Sequence, residues 1–355
     1  MALFRFILIA ACMPVVQWRR RGGAAASPSV FSVLRLDSTM APSIRSLHHV
    51  TATVADPSPD VRFYTGVLGL RLVKRTVNFD NPGVYHLYYG DERGSPSTLM
   101  TTFPYAGKGV RVGTIGAGQI TVTSFSVPVG SLEFWRDRLG AQDQAFTTGT
   151  ERFGERSLML EDPSGLNIEL LEGTGDSRAP WISPGVEPEA AVRGVHGVTL
   201  VVRRASDSIR FATEVLGLEV AGRTGRRTRL AAANGGPGSY LEVLESEHAP
   251  DAVNGLGTVH HVAMAVKGDE EQLAFQERLR SGGYQVTDVR DRQYFRSIYF
   301  REPGGILYEI ATEGPGFTLD EDLSELGTAL KLPPWEEENR DSIEAALPPI
   351  QDENE

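Results

Sequence analysis

Two histidine doublets, His48-His49 and His260-His261, and three glutamates that each follow a proline-glycine turn, Glu169, Glu242 and Glu309, are the residues best suited to chemistry. Imidazole and carboxylate together bind divalent transition metals. A thiolate site and a disulfide framework are excluded, because the chain has one cysteine, Cys12. Two neutral imidazoles and one carboxylate on one face, with open positions opposite, form the facial triad of non-haem Fe(II) oxygen chemistry. A lone histidine in a strand is more often structural. The doublets argue otherwise, since they hold four of the seven histidines and occupy equivalent positions in a repeat.

That repeat supplies the elements that must position these groups. The stretch from Arg62 to Val73 recurs from Arg210 to Ala221, an offset of 148 that also carries His48 onto His196 and His49 onto Gly197. Each unit begins with an alternating strand such as His49-Val50-Thr51-Ala52-Thr53-Val54, of period two. A helix follows, capped around Asp56-Pro57 and stopped at Gly69. Three further strands complete a βαβββ module, the last two joined by Asp162-Pro163-Ser164-Gly165, Gly236-Pro237-Gly238 or Glu302-Pro303-Gly304-Gly305.

Four modules result, roughly 46–103, 118–172, 193–245 and 257–313. The fold class expected is α+β, with the modules paired into two open barrels. The inner slots able to hold metal are the start of the first strand (His49, Thr121, Gly197, His261) and the middle of the fourth (Thr98, Glu169, Glu242, Glu309). Modules paired in sequence order would never share two histidines. Pairing module 1 with module 4 brings His49, His261 and Glu309 together and leaves the other barrel without a ligand histidine. His86, His196 and His248 gain no such support, and His196 reads as a remnant of the repeat.

Composition narrows the setting. A net charge of −11 without a basic cluster in the body argues against a nucleic-acid partner. Residues 1–45 read as a leader or an untranslated or disordered segment: Phe4 to Val16 is apolar but too short to span a bilayer, and Arg19, Arg20 and Arg21 follow it. Cytoplasmic localisation is expected, or mitochondrial or another organelle if residues 1–39 are a presequence. Residues 46–172 and 193–313 form the two module pairs in sequence, 173–192 is a proline-rich linker, and 314–355 is an acidic extension expected to be weakly ordered or to wrap the surface.

Several longer stretches are more specific than the repeat: Leu47-His48-His49-Val50-Thr51, Val73-Lys74-Arg75-Thr76, Tyr85-His86-Leu87-Tyr88, Met100-Thr101-Thr102-Phe103-Pro104, Gly118-Gln119, Arg152-Phe153-Gly154 and His260-His261-Val262. Through them the chain resembles the vicinal oxygen chelate superfamily, and within it ring-cleaving dioxygenases of the 2,6-dichlorohydroquinone 1,2-dioxygenase kind. The resemblance implies metal ligands at His49, His261 and Glu309, surrounded by His48, Thr51, His260, Arg292 and Tyr299. It implies Fe(II), with Mn(II) as the alternative, and a hydroquinone-type or related dihydroxylated aromatic cleaved with O₂. Tyr299 would donate a hydrogen bond or proton, Arg292 would hold an anionic oxygen, Thr51 would contact substrate, and His48 and His260 would do acid/base work or orient their neighbours. Core-phenol and surface-cation roles for Tyr299 and Arg292 stay open. The family's Phe-Glu-Ala at the carboxylate is Tyr308-Glu309-Ile310 here, and the sequence around Tyr294 also departs, which leaves the substrate less defined than the metal. The rival readings are a glyoxalase-like lyase or isomerase, disfavoured by Thr98 where a fourth carboxylate would stand, and a small-molecule-binding resistance protein, which needs no triad. No membrane association is expected, and assembly into a homo-oligomer is left open.

Overall fold

The computed structural model describes residues 42–351 apart from residue 234, so most of the leader segment lies outside the described residues. Each repeat folds as a βαβββ module. Module 1 comprises β1 (Ser46–Val54), α1 (Pro57–Val61, continued by a π-helical segment Arg62–Val67), β2 (Arg71–Asn78), β3 (Asn81–Gly90) and β4 (Leu99–Pro104). Module 2 has β5 (Gln119–Val127), α2 (Leu132–Ala141), β6 (Phe146–Thr148), β7 (Ser157–Glu161) and β8 (Asn167–Glu172). In module 3 they are β9 (Gly194–Val202), α3 (Ala205–Glu214), β10 (Glu219–Thr224), β11 (Arg227–Ala231) and β12 (Tyr240–Glu245). Module 4 holds β13 (Thr258–Val266), α4 (Asp269–Ser281), β14 (Arg290–Asp291), β15 (Arg296–Arg301) and β16 (Leu307–Thr312).

Local chemistry explains the boundaries. Asp56 accepts a hydrogen bond from the Ser58 amide at the start of α1, and Gly69 leaves the helical segment in the left-handed region at φ 71°. The alternation in β1 sends Val50, Ala52 and Val54 into the apolar core and His49 and Thr51 to the opposite face.

Two eight-stranded sheets form, and each mixes the first and second halves of the chain. One runs β14-β15-β16-β13-β1-β4-β3-β2 and thus joins modules 1 and 4; the other runs β10-β11-β12-β9-β5-β8-β7-β6 and joins modules 2 and 3. In each sheet the two first strands meet antiparallel at the centre, β1 against β13 and β5 against β9. The pairing is the one that unites His49, His261 and Glu309.

The sheets are tied by matched contacts. The Leu47 amide donates to the Gly238 carbonyl at 2.8 Å, and the Val195 amide donates to that of Ser97 at 2.9 Å. From the segment between the halves, Arg178 donates to the carbonyls of Ser97 and Val195. A buried acidic pair adds a polar link: Tyr89 and Thr102 each donate to Asp60 at 2.6 Å, and Tyr64 donates to Asp162 in the module 2 turn.

Residues 314–351 pack across the module 1 side of the first sheet. Phe317 lies against Tyr88 and Tyr294, the buried Lys74 ammonium pairs with Asp320 and Glu321, and the Gln351 amide reaches the Ser58 hydroxyl. Leu330 bridges to Arg75 of β2, covering a sheet edge that would otherwise be open. Among the described residues no helix is long and apolar enough to cross a membrane.

Burial, opposed by the hydrogen bonds of Thr102 and Tyr89 and reinforced by Asp162, raises the Asp60 carboxyl to about 7. An unfolded aspartate titrates near about 3.9, so folding takes up a proton between those values. Stability is therefore greatest below about pH 4 as far as this group is concerned, and is lost as pH rises through about 7. Asp60→Asn, which keeps the acceptor oxygen, is expected to remove on the order of 2 to 4 kcal/mol of that fall. Urea unfolding at pH 5 and pH 8 checks it: an equal fall in both proteins would rule the assignment out.

Candidate metal centre

The centre grows out of the β1/β13 seam. Thr51 lies opposite His261 and His49 opposite Ala263, while β16 runs parallel to β13 with Glu309 beside Ala263. All three donors therefore emerge on one face within one strand spacing. His49 Nε2 and His261 Nε2 are 3.3 Å apart, and Glu309 Oε2 lies 3.4 Å from the first and 2.8 Å from the second. Adjacent donors about 2.1 Å from a common centre at right angles would be about 3 Å apart, so the spacing fits a facial set. Glu309 is 0 % exposed and its Oε2 has no well-formed hydrogen bond. A cation shared by the three would satisfy it. The residues present fit a divalent metal.

The doublets now have a physical explanation. His49 Nδ1 meets His48 Nδ1 at 2.9 Å, and His261 Nδ1 meets His260 Nδ1 at 2.7 Å. Each ligand imidazole is held from behind by the residue before it, so its Nε2 faces the centre. For the first doublet the tautomer follows: His48 also donates to the Thr312 carbonyl, its Nδ1 must accept from His49, and His49 Nε2 is left with a free lone pair. Burial above all pushes His48 down to about 3, so it stays neutral. Burial likewise lowers His261 against the pull of Glu309. Although burial alone would raise Glu309, the two imidazoles outweigh it and hold the carboxyl well below its usual range. The Ser297 hydroxyl fixes its other oxygen.

Tyr299, opposite Glu309 on β15, is half-buried with its ring 5.8 Å from that of His261. Burial and the Glu309 charge raise its pKa, so the phenol keeps its proton. Arg292 donates to the Tyr299 oxygen at 3.1 Å and to Asp80, between β2 and β3, at 2.8 Å. The two side chains meet beside the triad. Thr51 Oγ1 lies 3.0 Å from His261 Nε2. His260 is exposed, whereas His48 is enclosed under Phe295.

Two slots differ from those expected. In module 1 the fourth-strand position belongs to Thr101, which pairs with Thr51 as Glu242 pairs with Thr199; Thr98 instead caps the preceding turn through the Ser95 carbonyl. The cause is a longer turn, in which Ser97 at φ 67° rather than Gly94 takes the place of Gly238. In module 2, Val122 pairs with Thr199 as His261 pairs with Thr51, so a strand irregularity moves the first-strand slot from Thr121 to Val122. No argument about ligands is lost, since both replacements still lack imidazole and carboxylate.

The module 2/3 sheet contains no such donor set among the described residues. Arg152 binds Glu169 through both terminal nitrogens, at 2.6 and 2.7 Å, and reaches Glu242 through Nε at 2.7 Å. Arg227 and Arg229 complete the neutralisation of Glu242. An internal guanidinium thus bridges the two carboxylates that stand in the fourth-strand slots. Arg152-Phe153-Gly154 was a conspicuous stretch in the sequence, but its partner carboxylates follow only from the fold.

Four βαβββ modules in paired sheets, with a two-histidine, one-glutamate centre in one of them, define the class. The chain belongs to the glyoxalase/bleomycin resistance protein/dioxygenase superfamily, whose profile matches residues 46–170 and 194–310. It is 44% identical over 314 residues to MhqO of Bacillus subtilis, which carries the name of a ring-cleaving dioxygenase; the match covers 88% of this chain and 98% of that protein. It is 38% identical over 306 residues to the chlorohydroquinone/hydroquinone 1,2-dioxygenase of Sphingobium indicum, covering 84% of this chain and 95% of the relative. A crystal structure of a Bacillus subtilis protein described as a dioxygenase superposes with a TM-score of 0.82 at 43% identity, covering 88% of this chain and 99% of that one.

Wild-type protein is expected to bind one equivalent of Fe(II) or Mn(II) under nitrogen. Glu309→Ala and His261→Ala should lower that affinity at least about a hundredfold, while Glu169→Gln should leave the stoichiometry at one; elemental analysis and calorimetry read both. Arg152→Met should lower stability by about 3 to 5 kcal/mol, because it strands buried carboxylates. A midpoint of thermal unfolding unchanged from wild type would contradict that assignment.

Proposed function

We propose that the chain is a ring-cleaving dioxygenase that uses Fe(II), or Mn(II), to open a hydroquinone-type or related dihydroxylated aromatic with O₂. The observation that carries the proposal is the convergence of His49, His261 and Glu309 as three donors on one side only. The names of the relatives at 44% and 38% identity point the same way. The metal, when bound, supplies a centre on which an aryloxide and O₂ are held side by side.

The rest is the work of the chain's own residues. His48 and His260 orient the ligand imidazoles from behind. Arg292, donating to the Tyr299 oxygen, leaves the phenolic proton of Tyr299 to be given to an oxygen of the substrate as negative charge builds there. Because its pKa is raised, Tyr299 acts as a donor rather than a base. Thr51 presents its hydroxyl beside His261 Nε2, where a substrate oxygen would lie. A glyoxalase-like lyase is disfavoured by Thr101, a hydroxyl in the slot where a fourth carboxylate would be needed.

Oxygen uptake by anaerobically purified, Fe(II)-loaded protein, measured with a panel of hydroquinones and catechols, tests the proposal. Hydroquinone-dependent uptake with ring-opened product is expected, and Tyr299→Phe should reduce kcat by about 10² to 10⁴. Absence of uptake with every member, or a His261→Ala variant as active as wild type, would overturn it.

A further inference from the structure

His86 has no place in the functional reading so far, yet it lies within one continuous line of hydrogen bonds that ends at the metal centre. Tyr88 and His86 alternate on the same face of β3. The Tyr88 hydroxyl meets His86 Nδ1 at 2.9 Å, His86 Nε2 meets Thr101 Oγ1 at 3.0 Å, and Thr101 Oγ1 meets Thr51 Oγ1 at 2.8 Å. Thr51 Oγ1 then lies 3.0 Å from His261 Nε2. The line crosses from β3 through β4 to β1 and stops where an oxygen bound at the centre would begin.

Its direction follows from counting protons. Tyr88 is 1% exposed, sealed by Tyr294 and Phe317, and its hydroxyl has His86 as its hydrogen-bond partner among the described residues. A buried hydroxyl that leaves its proton unplaced forfeits the hydrogen bond it made with water, so Tyr88 donates and Nδ1 accepts. Burial keeps His86 neutral, and one accepting nitrogen then leaves one donor, Nε2–H. That proton goes to Thr101. Thr101 must turn its own proton toward Thr51, and Thr51 is left with a proton that can point only into the metal centre.

We infer that Tyr88, His86 and Thr101 form a one-way hydrogen-bond chain that fixes Thr51 as a donor to the anionic oxygen of the aromatic substrate, with His86 as a positioning residue. The inference rests on the dioxygenase reading for the identity of the acceptor. The tautomer and its order do not. Each link polarises the next, which strengthens the last donor beyond an isolated threonine. The preference that results is for a ligand oxygen that is ionised, since a hydrogen bond to an anionic acceptor is roughly twice as strong as one to a neutral hydroxyl.

Two measurements test this separately. Nitrogen-15 NMR of the imidazoles in metal-free protein should show His86 as the Nε2–H tautomer, and Tyr88→Phe should abolish that preference. A wild-type His86 in the Nδ1–H form would overturn the direction. Second, 4-nitrophenol titrated under nitrogen into Fe(II)-loaded protein should bind as the phenolate, with affinity about tenfold lower in His86→Phe and Thr101→Val but changed less than threefold in Thr101→Ser. The threonine pair keeps the test decisive if His86→Phe does not fold. Equal affinity in Thr101→Val and wild type would overturn the chain. Should the tautomer be as inferred, and nitrophenolate binding respond as expected, while no aromatic substrate drives oxygen uptake, the dioxygenase reading fails and the chain stands.

Discussion

Everything at the centre depends on one antiparallel contact, β1 against β13. It joins strands 212 positions apart at the two ligand histidines, and its register sets Thr51 opposite His261. A slip of one residue would turn every side chain of β13 to the other face, sending His261 into the core and Val262 into the site. The core prevents that slip. Val50, Ala52, Val262 and Met264 are fully buried on the apolar side, so the same alternation that hides them presents the imidazoles. Metal-ligand geometry is therefore a by-product of hydrophobic register, and it needs no loop to maintain it.

The two sheets show what a duplicated scaffold can do with one electrostatic problem. Carboxylates in the fourth-strand slots are buried and must be compensated, because an unpaired buried charge costs several kcal/mol. In the module 2/3 sheet the compensation is covalently built in: Arg152 spans Glu169 and Glu242, and Ser124 and Ser157 fill the remaining acceptor sites of Glu169. In the module 1/4 sheet Thr101 stands in one of the two slots, and among the described residues no guanidinium bonds to Glu309, which faces the two imidazoles instead. One half carries its cation in its sequence. The other offers three donors that could hold one.

Much of this was legible in the sequence because the repeat is visible there. Module number and strand order within each module follow from the repeat and its turns, the 1/4 pairing from the doublets at His48-His49 and His260-His261, and the superfamily resemblance from the longer stretches that include them. What escaped was whatever depends on exact strand alignment. Counting four residues from Gly94 gives Thr98, but the turn is longer and places the bend at Ser97 and the slot at Thr101, each three residues further on. An irregularity in β5 moved Thr121 out of its slot in the same way. His86 draws no attention in the sequence because the line of hydrogen bonds it belongs to runs over three strands, β3, β4 and β1, and no spacing along one strand reveals it. The carboxylate partners of Arg152, on β8 and β12, are hidden for the same reason.

The placement of the surrounding groups completes the logic. Thr51, Thr101, His86 and Tyr299 stand on strands whose backbones are fixed on both sides, and only Arg292 comes from the turn between β14 and β15. It is held by Asp80, whose side chain is 59 % exposed, across from the opposite edge module. An ion pair with one partner so exposed contributes little to stability. Its effect is on orientation: Asp80 draws the guanidinium across the site so that Nε, not a terminal nitrogen, meets Tyr299. The polar groups beside the centre thus divide into a set fixed on paired strands and a single cation whose direction is set by a half-exposed ion pair.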